Sequence, residues 1–275
     1  MKKYLIVLFA AFGAAALSAN THSLVKKWET EASLKVPEGV LFDAARGVLY
    51  TSNIEGEPWA DDGKGSIGKV GLDGKIIAGE WVTGLSAPKG MGLHGKLLYV
   101  GDMNRVVVVD VEKGAIVDKI MVEGSEGLND VSVDASGVVY VTDSKAKRLY
   151  KIEQGKPSLY IDNLKGPNGV LAHKGSLYLL DGGALHKVEA DRSLTLINGG
   201  MEGGVDGVEN VEGNDFIVSC WAGVIHYIKG DGTRETLLDT REQKINTADI
   251  GYDAKKRIVY VPTFFKNSIV AYELK

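Results

Sequence analysis

Residues 128–162 read LNDVSVDASGVVYVTDSKAKRLYKIEQGKPSLYID. An opening apolar segment is followed by short apolar runs at 138–142, 148–152 and 158–162, with Gly, Ser, Asp and Lys between them. Runs this short, broken by turn-forming residues, are strands rather than helices. The stretch therefore predicts four consecutive strands in a unit of about 40 residues, the pattern of one propeller blade.

The same unit recurs along the chain. Pro37-Glu38-Gly39, Pro88-Lys89-Gly90 and Pro167-Asn168-Gly169 each precede a hydrophobic residue, and Leu128-Asn129-Asp130, Val205-Asp206-Gly207 and Thr247-Ala248-Asp249 are weaker copies. The central residues fall at 38, 89, 129, 168, 206 and 248, in steps of 51, 40, 39, 38 and 42. After each comes a second apolar strand, at 47–52, 96–101, 138–142, 176–180, 215–219 and 257–261. Third strands follow, for example at 105–111 and 148–152, and fourth strands show at 158–162 and 193–198. The expected fold is all-β: a six-bladed β-propeller in a single domain over residues 20–275. A β-sandwich would also need many short strands, but not this fixed period. The last unit, from Lys244 to Lys275, has room for three strands only. Residues 24–32 (LVKKWETEA) are expected to supply the missing one, closing the ring and hiding a strand edge.

Composition agrees with this reading. Of 275 residues, 25% are charged and 44% hydrophobic, as in a globular chain. Gly at 35 residues is nearly double the usual share of about 7%, while Pro is only 6, which points to many tight turns. A net charge of −4 argues against a nucleic-acid binder, which needs a basic surface. The one cysteine, Cys220, excludes an internal disulfide framework and any cysteine-held cluster, and its apolar surroundings suit a buried small hydrophobe. Residues 1–19 have the pattern of a secretory signal peptide: Lys2 and Lys3, an uncharged run over 4–17, then Ser18 and Ala19. The other reading is an uncleaved membrane anchor, for which the run is short. Export to the periplasm or medium is the expectation, with no membrane attachment once the signal is removed.

In a propeller, the first residues of each innermost strand line the mouth of the central channel. The repeat anchors thus predict a ring of Glu38, Lys89, Asn129, Asn168, Asp206 and Ala248. Two carboxylates and two amides offer oxygen ligands only, a set suited to a hard divalent cation, Ca²⁺ before Mg²⁺. The alternative is that these side chains merely hydrate a water-filled tunnel. Lys89 either polarises a substrate carbonyl or holds an anionic group, neutralises the carboxylates in place of a metal, or turns away.

These anchors, PEGVLFD, LNDVSVD, PNGVLA and VDGVEN in order, resemble the senescence-marker-protein/gluconolactonase (regucalcin-like) family over essentially the whole mature chain. The family is made of six-bladed propellers with calcium-dependent lactonase or esterase activity. The resemblance implies that Glu38, Asn129, Asn168 and Asp206 surround a divalent ion, and that Asp206 also serves as general base. Asn129 would additionally orient substrate. One departure is Gly127, where gluconolactonase-like members carry an Arg that grips sugar hydroxyls. YVGDMNRVVVVD and YVTDSKAKRLYKI also resemble the NHL repeat, another six-bladed propeller unit in which many members only bind partners. Within these motifs, Asp102 and Asp143 sit where a carboxylate accepts backbone N–H groups in a turn.

Two further features bear on function. None of the five histidines is an anchor, so a histidine-based nucleophilic triad is not expected. Blade 1 is longer than the rest by the segment 53–65 (NIEGEPWADDGKG), which either covers the channel mouth or stays an exposed hairpin. The sequence thus supports an exported, metal-dependent hydrolase acting on a lactone or other ester in the channel. A non-catalytic propeller that binds a protein, glycan or small ligand on the channel face is the alternative. Oligomeric state is not legible.

Overall fold

The structure, a computed structural model, describes residues 21–275. The signal-peptide expectation for 1–19 lies outside the described residues. Apart from one short 3₁₀ turn, Phe264–Lys266, the described regular structure is β, in six four-stranded antiparallel sheets. Their innermost strands are Pro37–Asp43, Pro88–His94, Leu128–Val133, Pro167–His173, Val205–Glu212 and Gly251–Asp253. Each inner strand touches the next, and that of blade 6 returns to that of blade 1, so the sheets close into a ring. The second strands run over Val48–Asn53, Leu97–Asp102, Val139–Asp143, Ser176–Asp181, Asp215–Cys220 and Ile258–Pro262, each within one residue of its expected position at both ends.

An apolar layer fills each gap between neighbouring blades. Between blades 1 and 2, for example, Tyr50, Ile67, Leu98, Val100 and Val107 pack together, all fully buried. In second and third strands such as Leu97–Asp102 and Arg105–Asp110, alternation sends side chains to both faces and both are largely covered, whereas outermost strands such as Ala115–Met121 are largely exposed. Cys220 belongs to the layer between blades 4 and 5. Burial pushes its thiol up to about 12, so it is inert packing rather than a nucleophile.

The closing strand is Leu24–Glu29, and it pairs with the chain's last strand, Ile269–Leu274, as the outermost strand of blade 6. Ser23 and Lys275 exchange two further backbone hydrogen bonds, at 3.2 and 2.9 Å. The layer between blades 6 and 1 then forms from Leu34, Val40, Leu49, Val70, Tyr260 and Ile269, with Trp28 of the closing strand packed against it. Trp28 lies flat over Gly74, whose φ of 84° suits glycine and where a Cβ would stand 2.8 Å from the indole.

Removing residues 21–32 should therefore lower the melting temperature strongly, because the ring loses its closure and exposes the 269–274 edge. The milder Trp28→Ala keeps the pairing and should cost about 2 kcal/mol, roughly half the value for a fully buried aromatic. Thermal and urea melts check both, and an unchanged stability in the truncated chain would contradict closure by this strand.

Candidate functional site at the channel mouth

The inner strands of blades 1–5 each begin with an irregularity in pairing. The register shifts between Pro37 and Gly39, Pro88 and Met91, Leu128 and Val131, Pro167 and Val170, and Val205 and Val208. Every anchor in blades 1–5 sits in such a bulge, a device that re-aims a side chain and leaves backbone groups without ladder partners. Hydroxyls from the second strands take up several of these. Gly39 N–H donates to Ser52 Oγ at 2.8 Å, Asp130 N–H to Thr142 Oγ1 at 3.0 Å and Gly207 N–H to Ser219 Oγ at 2.9 Å.

The anchors meet at one end of the channel. Glu38, Lys89, Asn129 and Asp206 are buried, Asn168 is half-buried, and Ala248 is buried against Ile54, Ala87 and Phe264. Glu38 Oε2, Asn129 Oδ1 and Asn168 Oδ1 are buried with no hydrogen-bond partner. For Asn129 the amide orientation follows from its neighbours. Ser144 Oγ donates to Pro167 C=O at 2.7 Å, so it must accept from Asn129 Nδ2 at 3.0 Å, which leaves Asn129 Oδ1 as the open atom. An orphaned buried acceptor costs about 1–3 kcal/mol, so three in one ring leave acceptor capacity open at the channel mouth. Among the described residues, no group of three or more His, Cys, Asp or Glu side chains gathers as a metal cluster. The donor set is instead carboxylate and amide oxygen, which fits a hard cation and not a soft one.

The electrostatics of the ring follow from burial. Glu38 is pushed up to about 7, chiefly by desolvation, with Lys89 pulling it back and Asp130 adding to the rise. Asp206 is held well above the usual carboxylate range by desolvation first and by Glu38 and Asp130 next, while Asn168 and Lys89 favour its charged form. Lys89 is pushed down by burial and supported by Glu38 and Asp206. Glu38, Asp206 and Lys89 thus form one electrostatic unit with Asn168 beside Asp206, and Asn129 enters it through Ser144 and the Pro167 carbonyl.

Lys89 makes no ion pair within 4.0 Å of Glu38 or Asp206; its ammonium donates to Pro58 C=O at 2.8 Å and stands 4.3 Å from the centre of the Trp59 ring. Both residues belong to the long segment of blade 1, which therefore folds inward over the mouth and is not an exposed hairpin. Its far end is pinned to blade 2. Ser86 Oγ donates to Asp61 at 2.5 Å and accepts from Gly63 N–H at 3.2 Å, and Arg105 pairs with Asp61, holding that carboxyl down at about 2. Lys145 reaches Trp59 from blade 3, 4.5 Å from the ring centre. Gly127 makes this possible, since a Cβ there would lie 2.8 Å from the Lys145 stem and 2.9 Å from the indole.

A second layer of acids escaped the sequence reading. Asp130 and Asp249 directly follow anchors, and Glu209 lies three residues after Asp206; all are pushed up by burial, Asp130 to about 7 and Glu209 to about 8. With Val40, Met91 and Val208 they line a narrow cavity of about 60 Å³ in the channel below the ring. By contrast, Asp102 and Asp143 are fixed by backbone N–H groups as expected. Asp102 accepts from Ser86 and Ala87, Asp143 from Glu126, Gly127, Lys145 and Ala146, and Asp181 repeats the arrangement with Lys165 and Gly166. The histidines stay off the ring: His94 and His173 end inner strands, His186 and His226 lie in third strands, and His22 stacks on Tyr227 at 3.8 Å.

No family model and no curated protein sequence matches this chain. Among solved structures, a gluconolactonase from Xanthomonas campestris is 14% identical, covering 89% of this chain and 88% of its own, with a TM-score of 0.70. A structural-genomics target designated a gluconolactonase is 15% identical over 94% of this chain and 93% of its own, also at 0.70. A streptogramin B lyase is 14% identical over 92% and 97%, at 0.65. What these likenesses establish is a shared fold: the chain is a six-bladed β-propeller.

Proposed function

We propose that this propeller is an exported, calcium-dependent hydrolase that cleaves a lactone or other ester at the channel mouth. The observation that carries the reading is the set of open oxygens, Glu38 Oε2, Asn129 Oδ1 and Asn168 Oδ1, arranged beside Asp206. Glu38, Asn129, Asn168 and Asp206 would hold the cation, which when bound supplies Lewis-acid polarisation of a carbonyl and acidifies water. The likeness in fold to gluconolactonases supports the substrate class. The basic start and apolar run of residues 2–17 support export.

The chain's own groups have separate tasks in this reading. Asp206, in its ionised form, takes the proton from the attacking water. Lys89 offers N–H donors toward the oxygen on which charge develops. Asn129 and Asn168 keep their amide oxygens toward the centre. The Pro58–Trp59 segment covers the reacting groups from bulk water. A lyase reading has less support. One neighbour is a catalytically inactive histidine-to-alanine variant of the virginiamycin B lyase from Staphylococcus aureus, and here no histidine reaches the ring.

Calcium should bind the wild type and raise its melting temperature, and Glu38→Gln should weaken binding by at least tenfold. Calorimetry showing no calcium binding at millimolar concentration would leave the polar tunnel as the better reading. Asp206→Asn, assayed at full calcium occupancy, should lower turnover by about a hundredfold or more, the scale of a lost general base. Undiminished turnover would remove Asp206 from that role. If a panel of aliphatic lactones, sugar lactones and aryl esters shows no calcium-dependent hydrolysis, the non-catalytic binding propeller replaces the enzyme.

The buried acids also dictate a pH dependence. Glu38 titrates near 7 when folded and near its ordinary value of 4.5 when unfolded. Below about 4.5 both states hold the proton, so folding carries no penalty. As pH rises toward 7 the unfolded state sheds it first, and stability falls. His226, held down at about 4, works in the opposite sense below about 6.5, so the contrast is between wild type and Glu38→Gln. With calcium chelated, the melting temperature of the wild type relative to Glu38→Gln should drop between pH 5 and pH 8. A constant difference would mean that Glu38 is not buried as described.

A further inference from the structure

The pairing of each inner strand's start with the end of the second strand, as Pro88 with Asp102 or Val205 with Cys220, sets every second-to-third turn at the anchor end. The mouth is therefore rimmed by these turns, and the rim is strongly polarised. Over blades 2 and 3, the ammonium groups of Lys89 and Lys145 converge on Trp59. Blades 5 and 6, which lie across the ring, present an aromatic cluster, with Lys266 beside it. Trp221 and Phe265 are 39% and 60% exposed, and with Phe264 they form edge-to-face pairs at 4.7 to 6.1 Å. Phe264 holds a φ of 51°, a left-handed conformation that a bulky residue rarely adopts, and it backs Ala248, the one anchor without a polar group. Exposed aromatics held together at some conformational cost, beside an apolar gap in a polar ring, provide a wall for a flat apolar group.

We infer that the channel mouth selects an amphipathic organic anion: a carboxylate-bearing ester or lactone whose charged end meets Lys89 and Lys145 and whose aromatic or otherwise flat apolar end lies on Trp221 and Phe265. The inference rests on the proposed hydrolase for the bond that is cleaved, between the two ends over Glu38, Asn168 and Asp206. It does not rest on it for binding. Lys145 occupies the clearance at Gly127, so the group next to Asn129 is a cation on a flexible stem and not a planar fork fixed for sugar hydroxyls. Lys89 spends one N–H on Pro58 and Lys145 is exposed, so donors remain for an anion.

The test is calorimetric titration of the calcium-loaded protein with 4-phenylbutyrate, its neutral amide and butyrate. Phenylbutyrate should bind about tenfold tighter than the amide, the value of one charge-assisted hydrogen bond, and about tenfold tighter than butyrate, the value of one aromatic contact. Lys145→Met should remove most of the preference over the amide, and Phe265→Ala most of the preference over butyrate. Both side chains are exposed, so the fold survives either change. Equal binding of acid and amide, or no binding of phenylbutyrate, overturns the inference. An acid preference untouched by Lys145→Met also overturns it, because the carboxylate would then not be held between Lys89 and Lys145. Hydrolysis of esters and lactones is scored in parallel. Selective, Lys145-dependent binding without hydrolysis removes the enzyme and keeps the anion site, whereas hydrolysis of neutral lactones without anion binding does the reverse.

Discussion

Six strands converge on one axis here, and that convergence governs everything else in the molecule. The residue after the anchor is Gly in blades 1, 2, 4 and 5 and Asp in blades 3 and 6. A side chain at Gly207 would place its Cβ 2.5 Å from Asp249 Oδ1, and one at Gly39 would lie 3.2 Å from Asp249 Oδ2. Gly90 stands in the same relation to Asp130, whose other oxygen accepts from Val170 N–H at 2.7 Å. The glycines are thus the space into which two neighbouring carboxylates fit, and the blades approach closely enough to exclude water from the anchors.

Exclusion of water sets the chemistry. Carboxylates this deep resist ionisation, and Glu38, Asp130, Asp206, Glu209 and Asp249 all do so. A single ammonium, Lys89, faces them, and its own burial favours the neutral form. Neutralising several acids by protonation leaves a site without charge, whereas a divalent cation would satisfy the open oxygens and let the acids ionise together. The same packing that forms the channel therefore ties the ionisation of its acids to positive charge at its centre. The lysines and aromatics of the rim act only on what approaches from outside.

Much of this was legible in the residues. The anchor period located the blades, and the apolar runs placed second strands within a residue, because strand length and turn chemistry are local properties. The closing role of the Leu24–Glu29 strand followed from the short last unit. Other features were not local. Asp130 and Asp249 were visible as the second member of each anchor pair, yet only the glycines opposite them show that they point into the channel core. Asn53–Gly65 held an aromatic and four acids in a glycine-rich segment, a composition equally suited to an exposed hairpin. Its inward course depends on Ser86, Arg105 and Lys89, which belong to another blade. Lys89 had three readings because its long stem can reach several places, and its contact with Pro58 and Trp59 excludes an ion pair with the ring acids in this arrangement.

The aspartates of this chain show why residue type alone does not identify a site. Asp102, Asp143 and Asp181 sit at equivalent positions, the ends of second strands, and are as deeply buried as Asp206. Each of them, however, has its oxygens taken by backbone N–H groups of the turn that enters the same blade. Those bonds tie the turn between two blades to the second strand of the blade it enters and hold the rim in place, leaving little acceptor capacity for a ligand. Asp206, a short distance along the same channel mouth, has the Asn168 amide beside it, Lys89 at longer range and no backbone donor. The separation of scaffold from site thus rests on counting acceptors against donors. By that count the acceptors this fold leaves open at the channel mouth are Glu38 Oε2, Asn129 Oδ1 and Asn168 Oδ1, with the Asp206 carboxylate at their side.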